Sequence, residues 1–186
     1  MMCANHDLQR VREKYKLPDK YVLSLGTMQP RKDIPCAIKA FIKIADQIPE
    51  ISLVLVGKKA HNFDNEIERA ITKDKKLQNR IIFTGYVDER DKCAVYEMAS
   101  VFVFPSLYEG FGVPILEAFQ TNTQVVASDI PPHREVAGEH VRYFMPGSVD
   151  HCSEMLYDVL VNDSMEKAVG STAAAQKEKF SWHKSA

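Results

Sequence analysis

Two carboxylates bracket a glycine turn in the segment Pro105-Ser106-Leu107-Tyr108-Glu109-Gly110-Phe111-Gly112-Val113-Pro114-Ile115-Leu116-Glu117-Ala118. Glycines, lacking Cβ, let the backbone come close to a ligand. Pro114 suits the first turn of a helix, where a missing N–H costs nothing. The free N–H groups of such a turn, with the helix dipole behind them, suit an anion such as a diphosphate. Glu109 precedes this helix and Glu117 lies about one turn inside it, so both carboxylates can face one crevice. A carboxylate accepts hydrogen bonds from pairs of vicinal hydroxyls, which sugars and ribose provide. Taken singly, Glu117 reads as complementing a helix dipole and Glu109 as a solvated loop charge. The Gly-Phe-Gly turn between them favours a shared ligand site.

A second segment, Gly26-Thr27-Met28-Gln29-Pro30-Arg31-Lys32-Asp33, brings cations to a comparable position. A diphosphate leaving group gains negative charge as the bond to it breaks, and preorganised cations stabilise that charge. Arg holds two phosphate oxygens at once, whereas Lys supplies a compact point charge. A lone Arg-Lys pair is more often a solvated basic turn; its position after a strand favours the functional reading. Two weaker candidates are the Val56-Gly57-Lys58 turn and Gly85-Tyr86-Val87-Asp88-Glu89, where Asp88 reads as the N-cap of the next helix.

The elements that position these residues alternate regularly. Apolar strands are expected at Tyr21–Leu25, Ile51–Val56, Arg80–Thr84, Val101–Phe104, Gln124–Ala127 and Arg142–Phe144. Helical spacing occupies Pro35–Ile48, Asn65–Lys75, Glu89–Ala99, Val113–Thr121 and the chain from about Val149. Strands apolar on both faces and separated by amphipathic helices indicate a parallel sheet covered on both sides. The expected fold is therefore α/β, a single doubly wound Rossmann-like domain over residues 21–186, with 1–20 as a lead-in helix ended by Pro18. Ligands of such sheets bind beyond the carboxyl ends of the strands, where Gly26, Gly57, Gly85 and the Tyr108–Gly112 loop all fall.

The bulk numbers set outer bounds. A chain of 186 residues supports one substantial core, and 45% hydrophobic with 26% charged residues is ordinary for a globular domain. A formal net charge of -1 gives no bulk attraction for nucleic acid. No apolar run is long enough to span a bilayer. Cys3, Cys36, Cys93 and Cys152 are scattered and read as free thiols. No Asp-x-Asp triplet, serine elbow or close Cys–His pair occurs, so a metal–diphosphate arrangement has no sequence support and no metal or cofactor is expected. His61, His133, His140 and His151 read as surface or packing residues, and Trp182 as a packing anchor.

The segment P-S-x-x-E-G-F-G-x-P-x-x-E-A resembles the Glu-seven-residues-Glu signature of retaining glycosyltransferases with two Rossmann domains, the GT-B architecture. The resemblance runs from about Asp7 to Ala186 and extends to G-T-x-x-P-R-K, although many members carry Arg where Thr27 stands. It implies that Glu109 holds hydroxyls of a donor sugar and Glu117 the ribose. It further implies that Arg31 and Lys32 grip the donor phosphates, so Glu109, Arg31 and Lys32 form the catalytic set. The donor-binding set would be Gly26, Thr27, Gly57, Tyr86, Val87, Gly110, Phe111, Gly112, Val113 and Glu117, with Tyr86 and Val87 lying along the base largely through backbone. The substrate implied is a GDP- or UDP-linked sugar, GDP-mannose first, and the acceptor a glycan, a lipid-linked or a small molecule. An amino-terminal acceptor domain is expected outside this sequence. The expected location is the cytoplasm, with any place at the inner membrane face supplied by that domain. A non-catalytic nucleotide-sugar-binding module is the alternative, and a GT-B-like sugar-nucleotide epimerase a more distant one.

Overall fold

Alternation along each strand sends successive side chains to opposite faces of the sheet, and here both faces are apolar. The computed structural model describes residues 7–58, 71 and 75–162. Its strands are β1 Tyr21–Leu25, β2 Ser52–Val56, β3 Ile81–Gly85, β4 Val101–Phe104, β5 Val125–Ser128 and β6 Arg142–Phe144. Its helices are α1 Leu8–Tyr15, α2 Ile34–Ala45, α3 Lys75–Arg80, α4 Glu89–Glu97, α5 Val113–Gln120, α6 Pro131–Ala137 and α7 Val149–Val161. All strand pairs are parallel, in the order β3-β2-β1-β4-β5-β6. The α/β doubly wound sheet expected from the sequence is therefore present.

The two faces carry separate cores. Val22, Leu53, Leu55, Val101, Val103 and Val126 pack under α2 and α7. Leu23, Val54, Phe102, Phe104, Val125 and Ala127 pack under α1, α4, α5 and α6. Strand order reverses between β1 and β4, so the connections after these two parallel strands run to opposite sides and leave a crevice at their carboxyl ends.

Several local outcomes differ from the sequence reading. Arg80 ends α3 rather than starting β3, because its guanidinium is drawn to the end of α2. It donates to the carbonyls of Ala45 (2.6 Å), Ile48 (2.7 Å) and Ile51 (2.6 and 3.0 Å) and lies 5.3 Å above the Phe41 ring. The short helix α6 was not expected; its signal is Pro131-Pro132 in a first turn. Residues 8–15 form the lead-in helix, capped by the Asp7 carboxylate, which accepts from the Arg10 N–H. Asp88 occupies the N-cap position of α4, but its side chain makes no capping bond. The Lys14 ammonium, 2.5 Å away, takes its carboxylate instead, a charged partner in place of a neutral N–H. Cys36 and Cys152 are buried free thiols, whereas Cys93 is disulfide-bonded, which corrects the reading of every cysteine as free. The helix expected over Asn65–Lys75 falls almost wholly outside the described residues, as do His61 and Trp182.

Candidate functional site

The floor of the crevice is built from strand ends in conformations that favour glycine. Gly26 follows β1 at φ +143°, Gly57 follows β2 at +138°, and Gly85 ends β3 at +72°. They are stitched side by side: the Gly26 N–H donates to Val56 O and the Gly57 N–H to Gly85 O. A Cβ on Gly57 would lie 2.1 Å from the Gly26 carbonyl oxygen, so the close approach of β1 and β2 requires glycine there. Thr27 is exposed beyond this edge, and Met28 tucks in, donating its N–H to Lys58 O.

Pro30–Lys32 then forms one turn of 3-10 helix. Asp33 closes it in the left-handed region, at φ 43°, and its N–H donates to Pro30 O. This turn is joined to the loop after β4 by backbone, since the Leu107 N–H donates to Arg31 O at 2.8 Å. Side chains complete the junction. Lys32 Nζ lies 2.6 Å from Glu109 Oε1, and Arg31 Nη1 lies 3.1 Å from Oε2. Arg31, Lys32 and Glu109, far apart in sequence, thus meet at the point where strand order reverses. Glu109 is largely buried, which pushes its carboxyl pKa up; the hydrogen bond from Lys32 and the charges of Lys32 and Arg31 outweigh this and hold it below the ordinary range. Two cations against one carboxylate leave a net positive charge in the crevice.

The Gly110-Phe111-Gly112 turn leads into α5. Gly112 stands at the helix entrance with φ +102°, and Pro114 lies in the first turn, as its missing N–H allows. Beneath the turn lies His133, fully buried. Its Nδ1–H donates to Ser128 O at 2.8 Å and its ring lies 4.7 Å from that of Phe104. Its Cδ2 would be 3.4 Å from a Cβ on Gly112, so the imidazole sets the height of the turn. Burial lowers the His133 pKa and keeps the ring neutral, in keeping with a packing residue.

Glu117 lies beyond the first turn of α5, which holds no acidic residue, so dipole complementation does not account for it. It turns toward α4: Tyr96 Oη donates to Oε2 at 3.1 Å and Lys92 Nζ to Oε1 at 3.2 Å. The two glutamates therefore have separate partners, Glu109 on the β1 loop and Glu117 on α4. Lys92 and Tyr96 were not singled out in the sequence; a Lys and a Tyr at i, i+4 on an amphipathic helix carry no signal until α5 is placed beside them. Tyr86 is 75% exposed after β3, while the Val87 side chain is buried in the core. Phe111 and Val113 are exposed at the same edge.

The sequence profile of the family described as glycosyl transferases group 1 matches residues 6–176. The chain is 31% identical over 180 residues to the serotype-specific mannosyltransferase WbdA of Escherichia coli, covering 96% of this chain and 22% of that protein. The chain thus spans about a fifth of that relative's length. A crystallised C-terminal domain of a glycosyl transferase group 1 family protein from Francisella tularensis superposes with a TM-score of 0.80 at 22% identity, covering 95% of this chain and 93% of that one. HepE of Anabaena, solved in complex with UDP and glucose, superposes with a TM-score of 0.78 at 20% identity, over 95% of this chain and 49% of that one. By its sequence over nearly its whole length, and with the fold to match, this chain belongs to the group 1 glycosyltransferases.

Proposed function

We propose that this domain binds a nucleoside diphosphate sugar in the crevice between the β1 and β4 loops, as the donor half of a retaining hexosyltransferase. The observation that carries the reading is the meeting of Arg31, Lys32 and Glu109 at the strand-order reversal, beside the α5 amino terminus. In this reading the diphosphate lies against Arg31, Lys32 and the backbone of Gly110–Val113. Its entry draws the two cations away from Glu109, whose carboxylate then accepts hydrogen bonds from sugar hydroxyls. Glu117 takes the ribose hydroxyls, and the Gly57 and Tyr86–Val87 edges border the base.

The reaction breaks the bond between the sugar's anomeric carbon and a phosphate oxygen, and forms one to an acceptor oxygen. The acceptor proton passes to the departing phosphate, whose charge Arg31 and Lys32 stabilise. Glu109, committed to hydrogen bonding with cations and hydroxyls, acts in binding rather than as a displacing nucleophile, which supports front-face transfer with retention over the two-carboxylate route of glycosidases. Mannose is favoured as the hexose because relatives such as WbdA are named mannosyltransferases, while the UDP in the HepE complex keeps a UDP-sugar as the second choice. The acceptor would be a glycan, a lipid-linked or a small molecule held by an acceptor domain.

The test is calorimetric titration of this chain with GDP, UDP, ADP and their sugars. Saturable binding of one nucleotide series, tighter than the other two, supports the proposal; no binding of any overturns it. Transfer or donor hydrolysis by the domain joined to its acceptor half separates an enzyme from a binding-only module.

A further inference from the structure

Glu117 is held by two residues of α4, Lys92 and Tyr96, and the Tyr96 hydroxyl serves no packing need of its own. Tyr96 is 1% exposed and packs edge-on against Phe102 at 5.2 Å, a role that phenylalanine would fill equally. Its hydroxyl therefore serves Glu117, 3.1 Å away. Lys92 reaches the other carboxylate oxygen at 3.2 Å and also pairs with Glu89 at 2.9 Å. The helix that carries both is fixed at its end, where Tyr21 Oη donates to Val95 O at 2.6 Å and Thr123 Oγ1 to Tyr96 O at 2.7 Å. A carboxylate offers about four acceptor positions, so two bonds from α4 leave the others for a ligand. The Glu117 side chain remains 27% exposed, open to receive one.

We infer that Lys92 and Tyr96 are positioning residues that hold the Glu117 carboxylate aimed at the pentose, so that discrimination for ribose hydroxyls is set from α4. The inference rests on the nucleotide-sugar reading of the crevice and adds to it the residues that orient one of its acceptors. Without Tyr96 Oη the carboxylate is held by Lys92 alone; without Lys92 it loses its counter-charge, and in either case hydroxyls meet a less well-aimed acceptor. Both changes act on the pentose contact and leave the phosphate contacts alone.

The experiment compares the tighter-binding of GDP and UDP with its 2′,3′-dideoxy analogue, by calorimetry, for wild type, Tyr96→Phe, Lys92→Met and Lys92→Arg. Wild type is expected to prefer the ribose form by about tenfold or more, and Tyr96→Phe and Lys92→Met to reduce that preference about three- to tenfold each. Lys92→Arg should retain it, and dideoxy binding should be unchanged in every variant. If Tyr96→Phe and Lys92→Met weaken both ligands equally, the pair is merely structural and the inference fails. A wild-type preference near unity with intact diphosphate binding overturns the inference and the ribose role of Glu117 together. Failure of wild type to bind either diphosphate overturns the proposed function itself.

Discussion

Replacing Glu109 by glutamine should tighten binding of a free nucleoside diphosphate while giving no such gain for the nucleotide sugar. Lys32 Nζ stands 2.6 Å from the Glu109 carboxylate, with the two side chains only 11% and 10% exposed, so this pair is poorly screened. Arg31, 3.1 Å away but 45% exposed, adds the smaller share. A diphosphate drawing on these cations must displace the carboxylate or share them with it. A charge-assisted hydrogen bond contributes about 1.5–3 kcal/mol and a neutral one about 0.5–1.5. Removing the charge therefore returns about 1–1.5 kcal/mol to the incoming phosphate, or about 5- to 10-fold in affinity. For the sugar-bearing donor the gain is offset by loss of a carboxylate contact to hydroxyls, since an amide cannot accept at both terminal atoms. Calorimetry of Glu109→Gln with the diphosphate and its sugar, at fixed ionic strength, reads both quantities. Glu117→Gln serves as the contrast, because ribose is common to the two ligands, and should weaken both alike. Free diphosphate binding abolished by Glu109→Gln and untouched by Glu117→Gln would refute the assignment.

Four further outcomes follow from the same contacts. Gly57→Ala, which sets a Cβ 2.1 Å from Gly26 O at a φ of +138°, should cost about 3 kcal/mol or more in thermal or urea unfolding and weaken nucleotide binding with it. Arg80→Lys should cost about 2–4 kcal/mol by the same measurement, because an ammonium cannot donate to the Ala45, Ile48 and Ile51 carbonyls together. Asp91 is fully buried, and its hydrogen bond from Arg10 leads the contacts that hold its carboxyl far below the ordinary range. A depressed carboxyl stabilises the fold above its unfolded value, about 3.9, and that contribution fades as pH falls below it; Asp91→Asn should flatten the acid limb of a stability–pH curve. Donor affinity should be indifferent to excess EDTA, because side-chain cations and a helix terminus suffice for the diphosphate; a loss restored by Mg or Mn would remove that view.

The fold was legible because its signals are periodic and redundant. Five-residue, mainly apolar runs such as Ser52–Val56, buried at every position and alternating with amphipathic helices, suit a parallel sheet covered on both faces. The ends of β1, β2 and β3 announced themselves with glycine, and the positive φ at Gly26, Gly57 and Gly85 supplies the reason. Helix α6 and the 3-10 turn at Pro30–Lys32 were missed because they are too short for periodicity to register. In the crevice, residue types were legible and partnerships were not. Nothing local says that Glu109 is neutralised by Arg31 and Lys32, nor that Glu117 leans on Lys92 and Tyr96; those pairings exist only once β1 lies beside β4 and α4 beside α5. Asp88 shows the converse error, a local capping rule overridden by a lysine from α1.

The central claim is that Arg31 and Lys32 receive a diphosphate, and the difference between diphosphate and monophosphate affinity tests it most directly. Wild type should bind GDP or UDP far more tightly than GMP or UMP. Arg31→Ala should weaken the diphosphate by about 1.5–3 kcal/mol, roughly 10- to 150-fold, and leave the monophosphate almost unchanged. Equal weakening of diphosphate and monophosphate, or no weakening of either, would place these cations away from the phosphates and contradict the account.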